Sequence, residues 1–241
     1  MDRVYYLNRN QYHKGDTYEA FVKAVEILKT DTDINVITFL VYQQQHIPSF
    51  LSDLGFNPQQ IRNKNFMIEG YSVQIRTVKT YTPTHVFAGQ NPSEMLIAVG
   101  VPSKCFDEFV DRSNIKYWII VPWLLEENLS WLKIHEAEDI ETGETLQFEL
   151  TLDQRIIDAI EWLKETSYPN EGMVHHSDSD RLKSVANEIK RKNIPFNADA
   201  VIHYCINNGI FEAPARKIAD VFLQARARML KASNCYVINE E

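Results

Sequence analysis

The residues of this 241-residue sequence that could do chemistry are scattered, and each grouping lacks part of what its reaction needs. His175 and His176, followed by Asp178 and Asp180, form the densest set of metal-ligand types. Adjacent histidines point in different directions in most backbone conformations, and neither HExxH nor CxxC accompanies them, so the stretch reads as a polar linker in which Asp178 or Ser179 caps the next helix. Glu69, Gln74 and Arg76 match the layout of a metal nuclease only loosely, because a glutamine stands where a carboxylate is needed. The acidic tract Glu136, Glu138, Asp139, Glu141 and Glu144 carries oxygen ligands for a divalent cation, but its pattern is that of a solvated hairpin face. A metal-dependent hydrolase or nuclease with a dispersed site is therefore the third reading of the sequence, and no metal ligand is assigned. Serine nucleophiles in α/β hydrolases sit in GxSxG, which is absent. Cys105 and Cys205 fall on apolar helix faces and read as core.

Phosphate-binding signatures are also missing. No GxGxxG follows the first apolar run and no GxxxxGK[ST] occurs. The nearest stretch, Gly100-Val-Pro-Ser-Lys, has one glycine, and its proline removes an N–H that a phosphate cradle would use. These absences argue against a standard dinucleotide-binding or P-loop enzyme.

Charge is unevenly spread. The net charge is −8, but residues 1–179 carry −11 and residues 180–232 carry +5. Lys190, Arg191 and Lys192 end one predicted helix, Arg216 and Lys217 open the last one, and Arg226 and Arg228 lie near its end. A basic segment of this kind can contact nucleic acid or a protein partner, or pair internally with an acidic body. The helices around Asn208-Gly209 have the spacing of a helix-turn-helix, yet the end that would face bases reads Phe211, Glu212, Ala213, Pro214. Interaction or nucleic-acid binding through residues 180–232 is the alternative reading.

The elements that would position such groups are clearer. Leu96–Val99 and Ile119–Val121 are unbroken apolar runs, as strands buried on both faces require. Between them Cys105, Phe106, Phe109 and Val110 share a helical face opposite Asp107, Glu108 and Asp111, with Ser103 as cap and Asn114 as stop. This predicts a parallel strand–helix–strand crossover over Met95–Trp123. Val4–Leu7 and Ile34–Tyr42 predict two more strands. A helix with Asp16 as cap and Glu19 three residues on lies between them, and a short helix over Ile47–Leu54, with Pro48 in its first turn and Gly55 as stop, follows. Tyr71–Val78 alternates and predicts an antiparallel insertion or edge, with a further strand at Thr84–Ala88. Glu136–Leu150 predicts an appended hairpin. Thr151 with Gln154 opens a helix bearing Ile156, Ile157, Ile160 and Leu163, and Ser167–Ser179 is the linker to three further helices, the second capped by Asn197.

The expectation is an α/β protein. An open, mainly parallel, Rossmann-like sheet with an appended hairpin spans residues 1–150. A helical region spans 151–241, with a possible subdomain from about 180. Three widely separated cysteines, no apolar stretch long enough to span a bilayer, and an opening MDRVYYLNRNQ without a basic region before an apolar run predict a cytoplasmic protein.

Open parallel sheets bind ligands beyond the carboxyl ends of their strands. Those ends bring forward Asn8, Arg9, Gln43, His46, Ser103, Lys104 and Trp123 as ligand-binding candidates, with Gly100–Lys104 and Pro122–Leu125 as two walls of a crevice. Helix N-termini at Asp16 and Ser103 would favour an anion there. Binding of a small anionic ligand at these strand ends is the leading functional expectation; no cofactor and no catalytic residue is assigned.

Overall fold

The computed structural model describes residues 3–82, 93–106, 110, 115–148, 151–171, 173, 175–233 and 236–238. The chain divides into two compact units, Met1–Gln147 and Phe148–Glu241. The middle of the crossover helix expected after Ser103, with Phe109, Asp107, Glu108, Asp111 and Asn114, lies outside the described residues, as does the strand expected at Thr84–Ala88.

The first unit is an open α/β sheet. In chain order its elements are β1 (Arg3–Tyr6), α1 (Asp16–Thr30), β2 (Val36–Val41), α2 (Ile47–Leu51), α3 (Pro58–Asn63), β3 (Asn65–Ile68), β4 (Tyr71–Thr77), β5 (Glu94–Val99), β6 (Ile115–Val121), α4 (Leu129–Ile134) and β7 (Glu138–Asp139). Among the described residues the seven strands lie in the order β3-β4-β2-β5-β6-β1-β7. All neighbours run parallel except β3 and β4, which form an antiparallel hairpin at one edge.

Burial explains both strand patterns. Every residue of β5 is buried, because helices or loops cover it on both sides. One face of the sheet packs Ile37, Phe39, Ile97 and Ile119 against Ala20, Ala24 and Ile27 of α1 and Phe50 and Leu51 of α2. The other packs Leu96, Ala98, Trp118 and Ile120 against Phe106 and against Trp131 and Leu132 of α4. Phe106, Trp118 and Trp131 meet with ring centroids 5.0–5.4 Å apart. In β4, Val73, Ile75 and Thr77 are buried while Gln74 and Arg76 are only half-buried. The alternation arises because one face of this outlying strand is less covered; β4 forms the predicted antiparallel pairing with β3 and pairs parallel with β2 on its other side.

Four local expectations are corrected. Asp16 is the first residue of α1, not its cap: the chain enters through Gly15 at φ 100°, and the Asp16 carboxylate reaches back to accept the His13 N–H at 2.6 Å. The stretch Ser103–Cys105 is a single 3-10 turn behind Pro102, and Ser103 Oγ donates to the Glu127 carbonyl at 2.8 Å instead of capping. The hairpin expected over Glu136–Leu150 shrinks, among the described residues, to one bridge between Glu138 and Thr145, because β7 pairs parallel with β1. The helix expected to open at Thr151 starts at Gln154, since Asp153 accepts the Arg155 N–H at 3.0 Å and holds the Arg155 guanidinium as well.

The second unit is helical: α5 (Gln154–Thr166), α6 (His176–Arg191), α7 (Ala198–Asn207) and α8 (Glu212–Ala227). Helix α8 packs against α6 and α7, and α5 against α6. Their inward residues, among them Ile160, Val185, Val201 and Phe222, are fully buried. Asn197 caps α7 as expected, accepting from the N–H groups of Asp199 and Ala200. Helix α6 begins at His176, a turn before the predicted caps, and Asp178 instead holds Arg181 at 3.0 Å. The segment after α8 is strapped to α6: Asn187 pairs with both backbone groups of Leu230, Asp180 accepts the Ser233 N–H, and Ser184 accepts the Tyr236 N–H. No helix of the described residues is long and apolar enough to cross a membrane.

Candidate functional site

A crevice forms in a parallel sheet where neighbouring strands send their connections to opposite faces. That reversal separates β2 from β5 and, again, β6 from β1. The connection leaving β2 carries Ile47, Phe50 and Leu51 to the face covered by α1. The one leaving β5 carries Val101 and Phe106 to the opposite face. Strands β6 and β1 diverge in the same way, through α4 and α1 respectively.

The chain itself occupies the second crevice. Beyond β1 and β6 the backbone forms an antiparallel bridge: Tyr12 N–H donates to the Trp123 carbonyl at 2.9 Å, and Leu125 N–H donates to the Asn10 carbonyl at 3.2 Å. The first crevice stays open. It holds a cavity of about 400 Å³ lined by Tyr42, His46, Ser49 and Phe50 after β2, by Gly100 and Pro102 after β5, and by Trp123 and Glu127 after β6. That volume falls in the range of small-ligand pockets, roughly 300–1,000 Å³. A second cavity, about 160 Å³, lies over α1, β3 and β4 and is lined mainly by apolar side chains such as Phe21, Val25 and Ile68. It is too small for a typical ligand and sits away from the strand ends.

The open cavity has an aromatic wall. Trp123 is 51% exposed and Tyr42 37%. Trp123 is held from behind: its ring stacks on Tyr12 with centroids 5.8 Å apart and planes within 13°, and it meets Phe50 at 5.9 Å. Tyr12 is in turn fixed by Phe50 at 4.8 Å and by a hydroxyl contact to Thr17 at 3.2 Å. Burial pushes the Tyr12 phenol above its ordinary pKa. His46 packs its ring edge-on to Phe50 at 5.6 Å, and its carbonyl accepts the Ser49 hydroxyl at 2.9 Å.

Of the seven residues expected at the strand ends, two, His46 and Trp123, line this cavity. Ser103 stands beside it and ties the two walls together through the Glu127 carbonyl. Lys104 is exposed on the same turn, and Gln43 is exposed and accepts from Gln45. Asn8 is exposed and does not line the cavity. Arg9 is committed elsewhere: it holds Asp16, Glu19 at 2.7 Å and Glu141 at 2.5 Å. These carboxylates, Glu141 first, raise its pKa further. Sequence reasoning missed Tyr42, Ser49, Phe50 and Glu127 as cavity residues. Tyr42 and Glu127 sit just past apolar runs and carry a usable signal; Phe50, inside the short helix predicted over Ile47–Leu54, carries none.

The basic candidates of the second unit are largely engaged within it. Arg191 pairs with Glu188 at 2.7 Å and Arg216 with Glu212 at 2.6 Å. Lys217 reaches the Met173 carbonyl, and Arg226 lies over the Phe196 ring at 3.8 Å while donating to the Phe196 carbonyl. Lys190 and Lys192 stand at the end of α6 and Arg228 is exposed at the end of α8. Among the described residues no group of three or more His, Cys, Asp or Glu side chains is arranged to hold a metal ion. Cys205 is fully buried, and burial pushes its thiol up to about 12, which removes it as a nucleophile at neutral pH. Searches against protein-family models, curated proteins and solved structures returned no match to this chain.

Proposed function

We propose that this protein binds a small molecule in the crevice between the carboxyl ends of β2, β5 and β6. One observation carries the reading: a cavity of ligand size coincides with the point where the connections of β2 and β5 leave for opposite faces. That is where an open parallel sheet leaves room for a ligand without disturbing its core. The rigid aromatic backing of Trp123 adds support, since a binding wall that is already ordered loses little entropy on binding. An anionic ligand draws less support than a neutral one, because Arg9 is saturated by carboxylates and Glu127 is part of the lining. The reading is one of binding, in the reducing cytoplasm, to which an odd and sparse set of cysteines is suited.

The alternative, contact with nucleic acid or a protein through residues 180–232, is weakened by the internal partners of Arg191, Arg216, Lys217 and Arg226. A panel of metabolites screened by thermal shift tests the main reading. Compounds that occupy the crevice should raise the melting temperature of the parent protein but not of a Gly100→Val variant, whose side chain would crowd Phe50. A panel without a hit, or hits unaffected by that substitution, would remove the crevice from consideration.

A further inference from the structure

The lining of the crevice narrows the ligand class, and this inference rests on the crevice being a binding site. Three observations converge. First, Trp123 exposes half of its surface at the cavity while its other side is stacked on Tyr12, so it presents a fixed aromatic wall. A wall of this kind favours a planar ring, which can stack without distortion. Second, among the described residues the cavity shows no phosphate cradle: no described Lys or Arg lines it, the Gly100 N–H is spent on the Val121 carbonyl at 2.8 Å, and Pro102 has no N–H to give. Third, its polar groups suit hydroxyls. The Glu127 carboxylate accepts hydrogen bonds, the Ser49 hydroxyl, whose proton goes to the His46 carbonyl, can accept one, and the Tyr42 hydroxyl can do either.

A planar heteroaromatic ring bearing a hydroxylated, uncharged substituent satisfies all three. We infer that the ligand is a nucleoside, its base stacked on Trp123 and its sugar hydroxyls directed to Glu127, and that a 5′-phosphate adds nothing to its affinity. Glu127 would repel a phosphate group, and the described lining holds no Lys or Arg to offset it. Ring stacking and hydroxyl recognition make separable contributions, so two substitutions dissect them.

The test is calorimetric titration of the full chain with adenosine, guanosine, cytidine and uridine, their free bases, their 5′-monophosphates, and ribose. At least one nucleoside should bind, with its monophosphate no tighter. Trp123→Ala should weaken that nucleoside by about tenfold to a hundredfold, the range expected for a lost base–aromatic stack. Trp123→Phe should retain most of the affinity and guards against a folding defect. Glu127→Gln should weaken the nucleoside several-fold and leave its free base unchanged. A monophosphate that binds more tightly than its nucleoside, or affinity that survives Trp123→Ala, would overturn the inference. If no nucleoside binds while another compound stabilises the protein in a manner lost on Gly100→Val, the ligand class is wrong and the crevice stands. If nothing in either panel binds, both fall.

Discussion

A Cβ placed on Gly100 would lie 2.8 Å from Cζ of Phe50, closer than packed carbons approach, and Gly100 adopts φ +62°. The absence of a side chain at Gly100 is what lets Phe50 fill the floor of the crevice, and Phe50 in turn backs Trp123. Gly100→Ala should therefore carry both a backbone and a packing penalty, together about 2–4 kcal/mol. Urea denaturation measures it. Adding Phe50→Leu should recover the packing part and leave about 1 kcal/mol of backbone cost. A Gly100→Ala protein as stable as its parent would contradict this geometry.

Arg9 is assigned to architecture, not to ligand binding. It sits on the Asp16 carboxylate, which is almost fully buried, and bridges to Glu19 and to Glu141 in the turn after β7. Arg9→Met should cost about 2–3 kcal/mol by leaving a buried charge uncompensated, somewhat below the range for fully buried pairs because Arg9 is partly exposed. Affinity for any crevice ligand, measured at a temperature where the variant is folded, should stay within twofold. A large loss of affinity without loss of stability would return Arg9 to the binding site.

Asp153 caps α5 and is held by Arg155, which lowers its pKa to about 2. A carboxylate depressed in the folded state stabilises above its unfolded pKa, about 3.9. That stability is lost as pH falls from there through the folded value. Asp153→Ala should cost about 1 kcal/mol at pH 7, a typical cap contribution. The difference from the parent should shrink across pH 4 to 2, as followed by chemical denaturation at each pH. A pH-independent difference would contradict the assignment.

Glu94 runs the other way. It is buried at the start of β5, where it accepts the Tyr81 hydroxyl at 3.1 Å, and burial raises its pKa. An acid raised in the folded state costs stability as pH rises above its unfolded pKa, about 4.3, because the unfolded chain gives up the proton first. Glu94→Gln keeps a hydrogen-bonding group and removes that cost. The variant should be more stable than the parent at pH 7 and lose its advantage below about pH 4. Denaturation midpoints at the two pH values decide it; a variant destabilised at pH 7 would show that the ionised form is favoured by its surroundings.

The sheet was legible because Leu96–Val99 and Ile119–Val121 are apolar without interruption, a pattern that requires two covered faces. Strand order was not. It depends on α1 crossing over β6 and β5 before β2 begins, and nothing in residues 8–35 encodes that distance locally. Without the order, the reversals of connection cannot be found, so all strand ends look equivalent and Asn8 and Arg9 group with His46 and Trp123. The capture of Arg9 by Glu141, distant in sequence, is likewise a tertiary event. Trp123 was legible because an aromatic just beyond an apolar run stands at a strand end. Phe50 was not, because its role depends on Gly100 leaving it space.

The central claim is that a small molecule occupies the crevice between β2, β5 and β6. Amide and indole chemical shifts of the isotope-labelled protein, titrated with the nucleoside and metabolite panels, test it most directly. The account predicts that at least one compound perturbs resonances clustered at residues 42–50, 100–104 and 122–127, with the Trp123 indole among the most affected. Perturbations confined to other parts of the chain, or none across both panels, would contradict it.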